Sequence, residues 1–268
     1  DVTVEPGTSK VVPVTVTNVT TEAASFQVII NDFIANPNES GDPSLILDPK
    51  QYANSHSLKR FIQPISDFTL GPGQQKQISV VIKVPSNAAG GGYFGAVRFA
   101  PAGTTGNSQT VSLAGSVASL ILAKVPGDIK DQLSIASFDA RKNDRPSTVF
   151  FNNKGIAAVA RFQNEGNVQE APFGKILLKN SSGKVIASYE MNNTDPRGNV
   201  LPDSIRKFTV PLGDKVGTFG KYKLEGNFGY GSSGQLLSAS TTFYVIPFIF
   251  IVIFLAAALR IVLVLRIL

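Results

Sequence analysis

The chain has no cysteine and no tryptophan, and in 268 residues it has one histidine and one methionine. Without cysteine there can be no disulfide, no thiol nucleophile and no thiolate metal site. A single histidine, His56, excludes a His-rich metal centre and leaves any Ser-His-Asp triad only one imidazole to be built on. That residue lies in the polar stretch Tyr52-Ala53-Asn54-Ser55-His56-Ser57, and no Gly-x-Ser-x-Gly elbow surrounds a serine. The missing tryptophan removes the usual platform of a glycan-cleaving cleft. Neither Glu165 with Glu170 nor the acids Asp32, Glu39 and Asp42 carry the context that paired glycosidase carboxylates need. No catalytic residue is assigned, and the chain is not expected to be an enzyme.

Charge is also sparse, at 16% of residues, with 25 basic and 19 acidic side chains giving a net +6. No cluster of Lys and Arg interleaved with aromatics appears, so nucleic acid is not an expected partner. Mild attraction to an anionic wall polymer or headgroup is compatible with the charge. An exported chain without disulfides points to a bacterial or archaeal surface, where folding rests on packing alone. The strand-like start Asp1-Val2-Thr3-Val4 implies, for such a chain, a leader already removed.

What the chain does have is β texture. Apolar and polar residues alternate over 11–17, 26–30 and 77–84, and turns such as Glu5-Pro6-Gly7, Gly71-Pro72-Gly73 and Ala102-Gly103 separate the runs. A second series follows Val125-Pro126-Gly127-Asp128, with strands predicted at 133–138, 159–163, 174–178, 185–189, 206–210, 222–228 and 236–244. A Pro turn ahead of an alternating strand recurs at Glu5-Pro6-Gly7, Gly71-Pro72-Gly73 and Leu201-Pro202-Asp203. The predicted fold is all-β: two tandem Ig-like β-sandwiches, residues 1–125 and 130–242, followed by one C-terminal transmembrane α-helix with a short basic end, residues 243–268.

The helix rests on the apolar run 244–259, continued past Arg260 as Ile261-Val262-Leu263-Val264-Leu265. Residues 244–265 reach the roughly 30 Å of a bilayer core if Arg260 snorkels to the headgroups. Tyr244 suits the interface, and Pro247 suits a first helical turn. With Arg260 and Arg266 at the far end, the positive-inside rule expects a single-pass cell-membrane protein, its N-terminal ectodomain outside and its C-terminus cytoplasmic. The bilayer would then be one partner. Neighbouring transmembrane helices reached through Arg260 would be another, if the chain is instead a structural subunit of an envelope assembly.

The stretch Leu70-Gly71-Pro72-Gly73-Gln74-Gln75-Lys76-Gln77-Ile78-Ser79-Val80, continued through Gly92-Tyr93-Phe94-Gly95-Ala96-Val97-Arg98-Phe99, resembles the first domain of WxL-interacting cell-surface proteins. The Glu5-Pro6-Gly7 strand and the 28–32 segment resemble it as well. The resemblance implies an Ig-like module of peptidoglycan-binding type, a second Ig-like module, a membrane helix, and a protein that attaches to a cell-wall glycopolymer or a surface protein partner. It carries no catalytic residue.

Candidate contact residues for that partner are Tyr93, Phe94, Arg98, Phe173 and Tyr230. Their aromatic rings would supply contact area, with core packing as the alternative for each. The glycines of Ala89-Gly90-Gly91-Gly92 lack the Gly-Lys-Ser/Thr of a phosphate loop, and an open edge at residues 96–98 would offer strand addition. Asp32, Asn36, Asn38, Glu39 and Asp42 are hard oxygen donors, but they do not match an EF-hand loop, and Asx turns account for them equally. No metal and no cofactor are assigned.

Overall fold

Alternating residues become strands throughout the computed structural model, which describes residues 1–102 and 116–267. Gly103, Gly115 and Leu268 lie outside the described residues. The chain divides into two compact units that are not simple halves. Unit 1 comprises 1–36, 42–131 and 166–169, and unit 2 comprises 37–41, 132–165 and 170–268.

Unit 1 contains β1 (Val2–Thr3), β2 (Ser9–Thr17), β3 (Ala24–Ala35), β4 (Pro43–Leu45), β5 (Phe68–Leu70), β6 (Gln75–Lys83), β7 (Gly91–Pro101) and β8 (Val117–Val125). One sheet has the order β1-β8-β7-β3-β4, with β5 also on β3, and β2 pairs with β6 in a second sheet. Ile78, Val80 and Ile82 of β6 and Val97, Phe99, Ile121 and Ala123 of β7 and β8 are buried in one shared cluster. The period of two that was visible in the sequence is what aims these side chains at a common core. β7 lies between β3 and β8 and is hydrogen-bonded on both sides, so residues 96–98 offer no open edge.

Unit 2 contains β9 (Leu133–Lys142), β10 (Arg145–Pro146), β11 (Val149–Phe150), β12 (Ile156–Asn164), β13 (Phe173–Lys179), β14 (Val185–Met191), β15 (Ser204–Pro211), β16 (Gly220–Tyr230) and β17 (Gln235–Val245). They form a sheet β10-β9-β12-β15 and a sheet β11-β17-β16-β13-β14. Phe138, Phe162 and Phe208 of the first sheet meet Phe228 and Phe243 of the second in one core. The Phe162 and Phe228 rings stand edge to face at 5.1 Å.

Each of the repeated Pro turns places its third residue at positive φ: Gly7 at 77°, Gly73 at 66° and Asp203 at 55°. This is the conformation a type II turn demands after its proline. The turn at Gly71-Pro72-Gly73 closes with Gln74 N donating to Gly71 O at 3.1 Å.

The C-terminal expectation is corrected. A helix α1 (Phe248–Ile267) is present, but among the described residues no helix is long and apolar enough to cross a membrane. β17 extends to Val245, so Tyr244 belongs to a strand, its amide donating to Thr148 O at 2.8 Å. Pro247 precedes the helix, and its carbonyl accepts from Phe250 N at 2.9 Å. Exposed Arg260 then interrupts the apolar residues after Leu259. The uninterrupted apolar stretch of α1 is about 12 residues, or about 18 Å at 1.5 Å per residue, against the roughly 30 Å of a bilayer core. The single-pass anchor falls with it, together with its inside-outside orientation and the roles given to Tyr244, Pro247, Arg260 and Arg266. The bilayer and neighbouring membrane helices are likewise unsupported as partners.

Candidate functional site

A buried polar construction in unit 1 starts from Asp32, a fully buried carboxylate on β3. Its Oδ2 accepts from Ala53 N at 2.9 Å and from the Ser57 hydroxyl at 2.6 Å, and its Oδ1 accepts from Lys59 N at 2.9 Å. A buried carboxylate is tolerated only when its lone pairs are filled, and here two backbone amides and one hydroxyl fill them, all from a single irregular segment, residues 48–62. Neighbouring Asn31 donates from Nδ2 to Ile46 O at 2.8 Å, and Ile46 N donates to Asp32 O at 2.9 Å. The segment is thereby strapped onto the sheet.

β7 holds the other side of the strap. Phe94 N donates to His56 O at 2.8 Å, and His56 Nδ1 lies 2.6 Å from Gly92 O. A carbonyl can only accept, so that contact fixes the proton on Nδ1. Gly95 lets the strap lie close, because a Cβ there would stand 3.0 Å from Leu58 Cβ. Asn167 props the turn before β7: Nδ2 donates to Gly90 O at 3.1 Å and to Asp128 O at 2.8 Å, and Gly92 N donates to Asn167 O at 2.7 Å.

The strap presents rings and cations at its surface. Tyr52 is 46% exposed, with Lys59 Nζ 4.5 Å and Arg60 Cζ 4.8 Å from its ring centroid. Lys59 Nζ also donates to Pro49 O at 2.6 Å and Gln51 O at 2.8 Å. Half-buried Phe61 meets Tyr93 with centroids at 4.8 Å, and the His56 ring lies 6.4 Å from Tyr93. The Tyr93 hydroxyl donates to Ala89 O at 2.9 Å, and burial pushes its pKa up. Aromatic faces beside fixed hydrogen-bonding groups are what a sugar ring or a peptide can lie against. The Ser57 hydroxyl is 4% exposed and given to Asp32, so it is not presented to a substrate.

Of the residues expected from sequence, Tyr93 belongs to this surface. Phe94 does not, being 3% exposed against Phe33 at 5.9 Å. Arg98 is half-buried on β7, and its Nε has no hydrogen-bond partner among the described residues. In unit 2, Phe173 is 42% exposed with Arg197 stacked over it at 3.9 Å. Tyr230 is 6% exposed within the core and hydrogen-bonded to the side chain of Gln235. Burial therefore removes Phe94 and Tyr230 as contact residues: Tyr230 faces the unit 2 core, whereas Phe94, on the face of β7 opposite Val97 and Phe99, is covered by Phe33 and by His56 of the strap.

The five oxygen donors of the calcium reading do not gather. Asp32 is spent on the strap, and Glu39 is paired in unit 2 with Arg161, Nε to Oε2 at 2.7 Å and an amino group to Oε1 at 2.5 Å. Arg161 holds the Glu39 carboxyl below its ordinary pKa, chiefly through that hydrogen bond. Among the described residues no group of three or more His, Cys, Asp or Glu side chains could hold a metal ion. A concavity on unit 1, about 480 Å³, runs along residues 13–17 over Phe26 and Phe99; among the described residues its lining holds no charged side chain and none of the strap residues.

Sequence reasoning did not single out Tyr52, Lys59, Arg60, Phe61 or Asn167. The first four sat in a segment without periodicity, and nothing near Asn167 marks its backbone partners, which include Gly90, Gly92, Asp128 and Lys130.

No curated protein matches the sequence. Among solved structures, the class 5 fimbriae chaperone CfaA is 14% identical, covering 91% of this chain and 95% of its own, with a TM-score of 0.40. The E. coli chaperone DraB is 12% identical over 91% and 92%, with a TM-score of 0.38. The CsuC-CsuE chaperone-tip adhesion subunit complex of Acinetobacter baumannii is similar at 16% identity over 88% and 93%, with a TM-score of 0.39. At such scores these likenesses establish neither the fold nor a partner of this chain. Residues 1–101, which include the whole strap, match the family described as WxL Interacting Protein, peptidoglycan binding domain.

Proposed function

We propose that this protein binds a cell-wall glycopolymer of the peptidoglycan class through the strap surface of unit 1, with Tyr52, His56, Phe61 and Tyr93 as the contact residues. The match of residues 1–101 to a peptidoglycan-binding family carries the reading. The geometry supports it: rings of graded exposure are held by a buried carboxylate, so that little conformational entropy is lost when a ligand arrives. The role is attachment, not catalysis. Two tandem Ig-like modules remain part of this reading, with unit 1 as the wall-binding one and unit 2, carrying Phe173 under Arg197, available to a surface protein partner.

The test is co-sedimentation of the full chain with purified insoluble peptidoglycan. Wild type is expected in the pellet, with Tyr52→Ala weakening binding about tenfold, the loss of one stacking platform. Wild type that stays in the supernatant at micromolar concentration overturns the proposal.

A further inference from the structure

The strap also carries a charge feature that wall binding alone does not require. Lys59 and Arg60 converge on the single Tyr52 ring, at 4.5 and 4.8 Å from its centroid. Adjacent like charges repel, and among the described residues neither cation forms an ion pair with a carboxylate. The nearest acid in the strap, Asp48, uses Oδ1 to accept Lys50 N at 2.8 Å, and Asp32 is buried beneath. Lys59 spends two of its three N–H donors on Pro49 O and Gln51 O. Arg60, exposed, is held by the ring while its guanidinium donors have no protein acceptor among the described residues.

A guanidinium held by a ring face at one position, with its donor fork open, is suited to a planar or tetrahedral oxyanion, which it can grip with two parallel hydrogen bonds. The ring removes part of the rotamer freedom that makes an ordinary surface arginine a weak binder. A neutral sugar would gain nothing from the paired charges, whereas an oxyanion relieves their mutual repulsion. Resting on the wall-binding reading above, we propose that Lys59, Arg60 and Tyr52 form an oxyanion subsite, so that the ligand taken by unit 1 is an anionic stretch of wall polymer, bearing a carboxylate or a phosphate diester.

The experiment measures sedimentation affinity of the full chain for three preparations: whole walls, the same walls stripped of phosphodiester-linked polymer with hydrofluoric acid, and stripped walls whose free carboxyls have been amidated. Wild type is expected to lose about tenfold in affinity at one of the two steps, stripping if the oxyanion is phosphate and amidation if it is carboxylate. Arg60→Gln should show the weakened affinity on whole walls without any treatment. Arg60→Lys should recover part of it, and raising salt from 50 to 500 mM should weaken wild type more than Arg60→Gln.

Arg60 is exposed with its guanidinium over the Tyr52 ring, so unchanged circular dichroism is expected for both variants. If wild type binds all three preparations equally and Arg60→Gln binds like wild type, the oxyanion subsite is refuted while wall binding stands. If wild type binds none of them, wall binding itself is refuted and the subsite with it.

Discussion

Replacing Asp32 by Asn changes one oxygen to an amino group and should release the strap. In the native site Oδ1 receives the Lys59 amide and Oδ2 receives the Ala53 amide and the Ser57 hydroxyl, at 2.6 to 2.9 Å. An asparagine keeps one acceptor. Facing its oxygen to Lys59 puts an NH₂ against Ala53 N–H, where only the rotatable Ser57 hydroxyl can adapt; the reverse orientation puts the NH₂ against Lys59 N–H. Either way one backbone N–H loses a charged acceptor, at about 1.5 to 3 kcal/mol, and becomes a donor without a partner. The expected cost is about 3 kcal/mol, or roughly 10 °C in the unfolding temperature of a unit of this size.

Urea unfolding measures that loss, and amide hydrogen exchange localises it, because Ala53 and Lys59 should lose protection while β12 and β16 keep theirs. Wall affinity should fall in parallel, since Tyr52, Lys59 and Arg60 ride on the strap. A variant within 1 kcal/mol of wild type, with Ala53 and Lys59 still protected, would refute Asp32 as the anchor.

Two further outcomes are expected. Glu39 titrates below its ordinary value of 4.5 in the folded chain because of Arg161, so its contribution to stability is complete above that value and is lost as pH falls through the lower folded one. For a pair about a quarter exposed this is worth about 1 kcal/mol, so Glu39→Gln should lower the urea midpoint at pH 7 and match wild type near pH 2; an equal gap at both pH values would disprove the pairing. Gly73→Ala should cost about 1 kcal/mol from backbone strain alone, since φ is +66° and nothing lies within 4 Å of the added methyl, and a neutral result by thermal unfolding would contradict the left-handed turn.

Much of the strand content was legible because alternation is a local property. The pattern at 11–17 became β2, that at 77–84 became β6, and all seven strands expected after residue 130 have counterparts from β9 to β17. The Pro turns were legible for the same reason, with Gly73 and Asp203 taking the positive φ that the motif demands. Local sequence could not tell that 37–41 belongs with unit 2 and 166–169 with unit 1, because membership is decided by contacts far apart in the chain. The C-terminal run misled because hydropathy was summed across the end of a strand and across Arg260; β17 claims Tyr244 and Val245 by pairing with β16, which a window of side-chain polarity does not register.

By itself the sequence determined that this chain is β-rich, held together without disulfides, and without the residues for thiol or His-cluster chemistry, since composition and period-two patterning need no knowledge of neighbours. Only the tertiary structure decided which aromatic residues face outward and what organises the site. It buried Phe94 under the strap and Tyr230 in the core, left Tyr52 exposed beneath two cations, and brought Asp32 to amides 21 and 27 residues away. A buried carboxylate finds its partners through space, and an irregular segment such as 48–62 has no period from which that placement could be read.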